Sequence, residues 1–406
     1  MDADAPIPFE SGALAVPGVR LASAAAGIRY RDRDDLVLME LAEGSTTAAV
    51  FTRNRFCAAP VIVAREHLER DEPRYLLINA GNANAGTGDA GLRAARETCR
   101  AVAAMAGCAM SQVLPFSTGV IGEDLPLLPF QRAMPGLVQG LSEAAEAWDA
   151  AAQAIMTTDT RPKQFCSEVE LSGGRVRITG IAKGSGMIRP DMATMLAFVA
   201  TDAVVPRDTL QEVLAAAVEP SFNSITVDGD TSTNDACVLV ATGRSGVALA
   251  DQQDLERFEL AVSAVCFMLA YEIVRDGEGA TRVVIIEVEQ ARSVEDARQV
   301  AYTIAHSPLV KTALFAGDPN WGRILAAVGR AGVELDIEAV RIWLDGVSIV
   351  RDGGRDPDYR EEDGAEVMAR PSFTIRVALG TGDAETRVLT CDLSYDYVKI
   401  NAEYRS

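Results

Sequence analysis

The chain has 406 residues, ordinary aliphatic and aromatic content, and a net charge of −20 from 38 basic and 58 acidic side chains. That length buries a large core and suits two domains. The charge argues against a nucleic-acid or anionic-membrane surface, but not against a small anionic substrate, which needs only a few local cations.

Seven cysteines at scattered positions give neither a metal spacing nor a disulfide framework. Two histidines, His67 and His306, exclude a multi-histidine zinc site, so no metal is expected. Met1-Asp-Ala-Asp-Ala-Pro6 lacks the basic start and apolar core of a signal peptide. The long uncharged run 101–122 is broken by Gly107, Gln112, Pro115 and Thr118, which is not the pattern of a membrane span. The expected compartment is the cytoplasm.

In chain order, Leu36 to Leu41 and Thr46 to Phe51 read as strands. His67 lies in the charged run Arg65-Glu-His-Leu-Glu-Arg70 and reads as a solvated helix residue. Arg74 to Ala80 is a buried strand, followed by the loop Gly81-Asn-Ala-Asn-Ala-Gly-Thr-Gly-Asp-Ala-Gly91 and a helix over 92–105. Gly86, Gly88 and Gly91 have the spacing of a dinucleotide fingerprint, but five residues separate the first glycine from the strand, and a structural loop is the better reading. Val113 to Gly122 reads as a strand entering a turn. There Thr118-Gly119 could set a hydroxyl beside a backbone N–H, the two donors an oxyanion hole requires, although on sequence alone a plain turn is the better reading.

An alanine-rich helix is predicted over 139–156, then a hairpin turning at Ser172-Gly-Gly174. A helix is expected from Pro206 to Val218. Asp228 and Asp230 suggest a calcium loop, yet Gly229 falls inside the acidic pair and no glutamate closes the loop. The clearest helix is 254–274, with Leu255, Phe258, Val262, Val265, Leu269 and Ile273 at helical spacing. Glu278 follows between two glycines, where a carboxylate is either solvated or presented for function. The tail reads as a sheet, with 372–377 and 386–393 joined as a hairpin through Gly380-Thr-Gly-Asp-Ala384. Strands interleaved with helices give an α/β or α+β layered fold.

The middle of the chain is Lys183-Gly-Ser-Gly-Met-Ile-Arg-Pro-Asp-Met-Ala-Thr-Met-Leu196. A strand enters a flexible glycine turn, and a threonine, Thr194, heads the next apolar strand, sharing a face with Leu196 and Phe198. A threonine hydroxyl is a weak nucleophile that needs a base. A cut between Ala193 and Thr194 would supply one, because a free α-amine has a pKa of about 7.7–8.0. The threonine-plus-terminal-amine pair is one variant of the serine–histidine–aspartate arrangement. Taken by itself, a Gly-Ser-Gly turn ahead of an apolar strand is usually only a turn.

This segment resembles the self-cleavage segment of the ornithine acetyltransferase family. So do Asn79 to Gly86, Ser117 to Gly122, Ile155 to Thr160, Ser221 to Asp230, Asp276 to Thr281, Pro319 to Arg323 and Asp396 to Tyr404, in order along the chain. The resemblance implies a layered α/β sandwich of a self-cleaving N-terminal-nucleophile enzyme. An α chain, 1–193, and a β chain, 194–406, would remain together as an α2β2 heterotetramer. It implies acetyl transfer from N2-acetylornithine to L-glutamate without a cofactor, with acetyl-CoA as an additional donor in bifunctional members. By the same resemblance Thr194 is the nucleophile and Thr118 with Gly119 the oxyanion hole. Thr157, Lys183, Glu278, Asn401 and Ser406 match substrate-binding positions. Lys183 would meet an α-carboxylate and Glu278 the ornithine ammonium. The alternative is a related amidohydrolase or aminopeptidase, in which water resolves the acyl-enzyme.

Overall fold

The computed structural model describes residues 9–189 and 195–403, and every structural statement here concerns those residues. They fall into two compact units. The first comprises 9–184, 195–223 and 231–273; the second comprises 185–189, 224–230 and 274–403.

The first unit contains β1 (Phe9–Ser11), β2 (Val19–Ala24), β3 (Leu36–Leu41), β4 (Thr46–Phe51), β5 (Tyr75–Asn82), β6 (Val113–Val120), β7 (Lys163–Leu171), β8 (Gly174–Lys183), β9 (Leu196–Thr201) and β10 (Ala236–Ala241). Its helices are α1 (Ala59–Arg70), α2 (Gly88–Ala106), α3 (Leu127–Gly140), α4 (Ala145–Ala154), α5 (Arg207–Val218) and α6 (Gln252–Arg275), whose last turn passes out of it. The strands form two sheets, in the orders β2-β3-β5-β6 and β1-β7-β8-β9-β10-β4.

Strand alternation explains the layering. On β5, Leu76 and Ile78 point to one side, with Leu114 and Phe116 of β6 and with Leu196, Phe198, Val238 and Val240 of the other sheet. Tyr75 and Leu77 point to the opposite side, with Cys99 and Val102 of α2 and Phe130 and Met134 of α3. A strand covered on both faces needs a continuous apolar run rather than an alternating one, which is what β5, β9 and β10 have. The two sheets meet where Phe116 and Phe198 pack edge to face, 5.1 Å between ring centroids. Beyond the second sheet, α6 closes on Gly180 of β8, where an added Cβ would stand 2.9 Å from Val265 and 3.0 Å from Leu269. The unit is therefore layered helix, sheet, sheet, helix, as the α/β sandwich reading expects.

The second unit has a single sheet, β14-β13-β12-β15-β11-β16, built from β11 (Val283–Ala291), β12 (Arg341–Leu344), β13 (Val347–Arg351), β14 (Gly354–Arg355), β15 (Ser372–Ala378) and β16 (Ala384–Cys391). Its helices are α7 (Val294–Ala305), α8 (Pro308–Ala316), α9 (Trp321–Gly329), α10 (Glu361–Met368) and α11 (Tyr395–Glu403). Val284, Ile286 and Val288 of β11 face a core shared with α7, α8 and α9. The alternate residue Glu287 points outward and pairs with Arg387 at 2.8 Å. No helix among the described residues is long and apolar enough to cross a membrane.

Three expectations change. β15 and β16 are not a hairpin: β11 lies between them, parallel to β15 and antiparallel to β16. The connecting loop wraps the end of β11, with Thr381 and Gly382 N–H both donating to the Gln290 carbonyl at 2.8 and 3.1 Å. The helix predicted over 139–156 is interrupted, because Ser142 exchanges two backbone hydrogen bonds with Leu21 of β2 and leaves the helical path. His67 is buried, 2 % exposed, with Nδ1 2.7 Å from the Val113 carbonyl. Its charged neighbours in sequence lie on other faces of α1.

Candidate active site

The candidate oxyanion turn sits where β6 runs parallel to β5 and the ladder slips at Asn82. Gly119 has φ +131°, and a Cβ there would lie 2.2 Å from the Gly81 carbonyl carbon. Only glycine fits so close a backbone approach. Buried amides fix the same corner. Asn234 Nδ2 donates to the Ala83 and Ser117 carbonyls at 2.6 and 2.9 Å. Ser117 Oγ donates to Asn79 Oδ1 at 2.6 Å, and Asn79 Nδ2 donates to the Asn82 carbonyl at 2.9 Å. A fully connected buried network of this kind is rigid, because each group left unpaired would cost its desolvation.

Lys183, the last residue of β8, reaches this corner. Its Nζ donates to Thr118 Oγ1 at 3.2 Å and to Thr157 Oγ1 at 2.9 Å. Both hydroxyls accept from the ammonium, which leaves their own protons for a third group and polarises them as donors. Behind Lys183 is Asp159, wholly buried. One oxygen accepts from Lys163 Nζ and Gly184 N–H, both at 2.7 Å. The other accepts from Thr157 N–H at 3.0 Å and lies 4.0 Å from Lys183 Nζ. Burial by itself raises the Asp159 carboxyl, but the charges of Lys183 and Lys163 and the donated hydrogen bonds outweigh it and hold the group well below the usual carboxylate range. Asp159 is an ionised anchor that sets Lys183, Thr157 and the start of the glycine turn together.

In the second unit Glu278 is buried, 8 % exposed, rather than solvated. Its N–H donates to the Ser185 carbonyl at 2.9 Å, and Asn401 Nδ2 donates to its Oε2 at 2.7 Å. A Cβ on Gly186 would fall 2.4 Å from the Glu278 carboxyl carbon, so the glycine leaves the room that carboxylate occupies. The glycine turn is not the flexible loop expected from its composition. Asp228 accepts from the Met187 and Ile188 N–H groups at 2.6 and 2.9 Å. The Ile188 carbonyl accepts from Thr226 Oγ1 and Val227 N–H, both at 2.8 Å. Burial, and then the charges of Asp228, Glu278 and Asp230, push the Tyr397 phenol far up, so it stays a donor to Asp228.

With this geometry in view, comparison with known proteins is decisive. A model of the ArgJ family matches residues 20–406. The chain belongs to the ArgJ family. It is 61 % identical over 394 residues to the arginine biosynthesis bifunctional protein ArgJ of Methylococcus capsulatus, covering 96 % of each chain. It is 54 % identical over 396 residues to the protein of that name from Psychrobacter arcticus, covering 96 % of this chain and 97 % of the other. Among solved structures, the ArgJ protein of Bacillus halodurans superposes with a TM-score of 0.50 at 40 % identity, over 52 % of this chain and 100 % of that one.

In this ArgJ-family chain Thr118, Gly119, Thr157 and Lys183 come together in the first unit, and Glu278 and Asn401 in the second. Ala193, Thr194 and Ser406 lie outside the described residues. Reading the sequence alone gave no role to Asp159, Asn79, Ser117 or Asn234. Asp159, Asn79 and Ser117 stand inside the family-like blocks, the one available signal, and Asn234 stands outside them. The bonds of Asp159 to Gly184, of Asn79 to Ser117 and of Asn234 to Ala83 join segments far apart in sequence, so no local pattern announces them.

Proposed function

We propose that this chain is an acetyltransferase of arginine biosynthesis that moves an acetyl group from N2-acetylornithine to L-glutamate through an acetyl ester on Thr194. The chain first cuts itself between Ala193 and Thr194, giving an α chain, 1–193, and a β chain, 194–406. The freed α-amine takes the proton of Thr194 Oγ as the oxygen attacks the acetyl carbonyl. The Thr118 hydroxyl and Gly119 N–H receive the oxyanion. The amine of ornithine leaves with a proton, and the amine of glutamate then attacks the ester to give N-acetylglutamate and free Thr194. No cofactor takes part; acetyl-CoA is a second donor in the bifunctional cycle.

The observation that carries this reading is Lys183 Nζ donating to the hydroxyls of both Thr118 and Thr157. A cation at that point suits a substrate α-carboxylate beside an oxyanion donor. Thr157, Lys183, Glu278, Asn401 and Ser406 are assigned to substrate, with Glu278 toward the ornithine ammonium. The sheet supports a cut that does not release the pieces. β1, β4, β7 and β8 precede the cut and β9 and β10 follow it, and the β8–β9 and β4–β10 ladders hold them in one sheet. We assign the assembly as a cytoplasmic heterotetramer of two α and two β chains.

The test is intact mass and N-terminal sequencing of wild type beside Thr194→Ala, followed by assays of acetylornithine with and without glutamate. Two chains, the second beginning Thr-Met-Leu, an uncut variant and glutamate-dependent transfer are expected. An uncut wild type that still transfers acetyl groups overturns the terminal-amine mechanism. Acetate release that ignores glutamate makes the protein a hydrolase.

A further inference from the structure

One backbone conformation beside Glu278 is unfavourable and has no assigned purpose. Met187 has φ +56°, in the left-handed region that a residue with a long side chain seldom enters. Such a conformation persists only where its surroundings over-determine it, and it then marks a segment held in place for function. Met187, Glu278 and all the groups described next lie in the second unit. On the N-terminal side of Met187, the Ser185 carbonyl accepts from Glu278 N–H at 2.9 Å. Gly186 lies so close to the Glu278 carboxylate that a Cβ there would fall 2.4 Å from its carbon.

On the other side, Asp228 accepts from the Met187 and Ile188 N–H groups at 2.6 and 2.9 Å. The Ile188 carbonyl accepts from Val227 N–H and from Thr226 Oγ1, both at 2.8 Å. Thr226 is wholly buried. Its hydroxyl has one proton, and that proton goes to the carbonyl, which can only accept. The second contact of the hydroxyl, His306 Nε2 at 3.1 Å, is therefore made on a lone pair. His306 must carry its proton on Nε2. Donation runs from His306 to Thr226 to the Ile188 carbonyl, and each bond strengthens the next. The imidazole is itself seated, with its centroid 5.2 Å from that of Tyr302 and its Cδ2 3.4 Å from where a Cβ on Gly229 would stand. Burial, then the charges of Arg189, Lys311 and Arg330, lower it to about 4, which keeps the ring neutral near pH 7.

We propose that His306 is a positioning residue for substrate recognition: through Thr226 it fixes the turn at Met187 and Ile188, and through that turn the place of the Glu278 carboxylate. This rests on the reading, proposed above, of Glu278 as the group that meets the ornithine ammonium. Without the donor on His306, the Thr226 hydroxyl is free to rotate away from the Ile188 carbonyl. Met187 then relaxes toward negative φ. Gly186 touches the Glu278 carboxylate, so rotation of the Gly186–Met187 peptide displaces that group. A displaced carboxylate holds the side-chain ammonium less well and leaves the contacts of the rest of the substrate as they were. The effect is therefore selective for the ammonium.

The experiment compares kcat/KM for N2-acetylornithine with kcat/KM for N-acetylnorvaline, which has the same carbon chain without the terminal ammonium. Glutamate is the acceptor throughout. The ratio is measured in wild type, His306→Leu, His306→Gln, Thr226→Val, Thr226→Ser and Glu278→Gln. It should fall about ten- to a hundredfold in His306→Leu and in Thr226→Val, the scale of a small misplacement of a binding group, while acetylnorvaline reacts as with wild type. His306→Gln keeps an N–H of similar reach and Thr226→Ser keeps the hydroxyl, so both should retain the ratio. The double variant His306→Leu/Thr226→Val should fall no further than either single one, because both break the same chain of bonds. If the leucine variant does not fold, His306→Asn, polar but too short to reach Thr226, decides instead. A ratio kept in His306→Leu but lost in Glu278→Gln overturns the proposal. Equal losses on both substrates, not recovered by glutamine, also overturn it and leave His306 a structural residue. A ratio kept in Glu278→Gln overturns the reading of Glu278 itself. The chain has two histidines, so ring-nitrogen NMR of wild type beside His306→Gln gives a second readout: a proton on Nδ1 of His306 rather than Nε2 overturns the order of donation.

Discussion

Asp159 Oδ1 lies 2.7 Å from Lys163 Nζ, four residues on, and both side chains are wholly removed from solvent. The pair anchors Lys183 from behind, through Asp159's second oxygen. Asp159→Asn leaves two ammonium groups facing a neutral amide in a buried place. Breaking one partner of a buried pair costs about 3–5 kcal/mol, so the urea midpoint should fall by that equivalent and transferase activity with it. The acid limb is a second readout. The folded carboxyl is depressed, so its contribution is fully present above the unfolded pKa, near 3.8, and is lost as pH falls below it. The wild-type advantage over Asp159→Asn should therefore shrink on acidification below about pH 4.

Thr118→Val removes a hydroxyl that accepts from Lys183 and keeps the shape. The expected loss is about 10²–10³ in kcat, the scale of one oxyanion donor, with KM little changed; Thr118→Ser should recover most of it. Steady-state kinetics with acetylornithine and glutamate check this. Gly119→Ala should fail earlier, at folding, because its methyl meets the Gly81 carbonyl at 2.2 Å.

Gly186→Ala puts a methyl group where the Glu278 carboxylate stands. The carboxylate must move or the turn must open. KM for acetylornithine should rise by ten- to a hundredfold, about 1.4–2.7 kcal/mol, and Glu278→Gln should rise comparably. Equal KM in Gly186→Ala and wild type would remove Glu278 from substrate binding.

His306 gives a pH effect of separate origin. Burial, then Arg189, Lys311 and Arg330, lower it to about 4 from 6.5, and its Nε2 is 3.1 Å from Thr226 Oγ1. Between these values the unfolded chain binds the proton and the folded chain does not. Stability therefore rises with pH across that window and is lost as pH falls through it. His306→Gln should flatten the slope of the thermal midpoint between pH 4.5 and 7.

Patterns local in sequence were legible. The β7–β8 hairpin closes Leu171 onto Gly174, as the Ser172-Gly-Gly174 turn announces. Phe258, Val262, Val265, Leu269 and Ile273 of α6 are fully buried, as their spacing requires. The family-like blocks named Thr118, Gly119, Thr157 and Lys183 before any geometry. The resemblance was legible because those blocks keep rare neighbours together over the whole chain.

Pairings between distant segments were not legible. Whether β16 lies beside β15 or beyond β11 depends on which strand edge is free when the sheet closes, and a hairpin-like loop does not encode that. His67 is buried by β6, although its neighbours in sequence are charged. In sequence Asp159 and Asp235 look alike, each an aspartate that follows a polar residue. One is held ionised by two ammonium groups brought from β7 and β8. The other is pushed above the usual carboxylate range, chiefly by burial. By itself the sequence determined which groups exist and the local turns and helices that carry them. The tertiary structure alone decided their charge and company, because desolvation and Coulomb energy depend on distances between segments far apart in the chain.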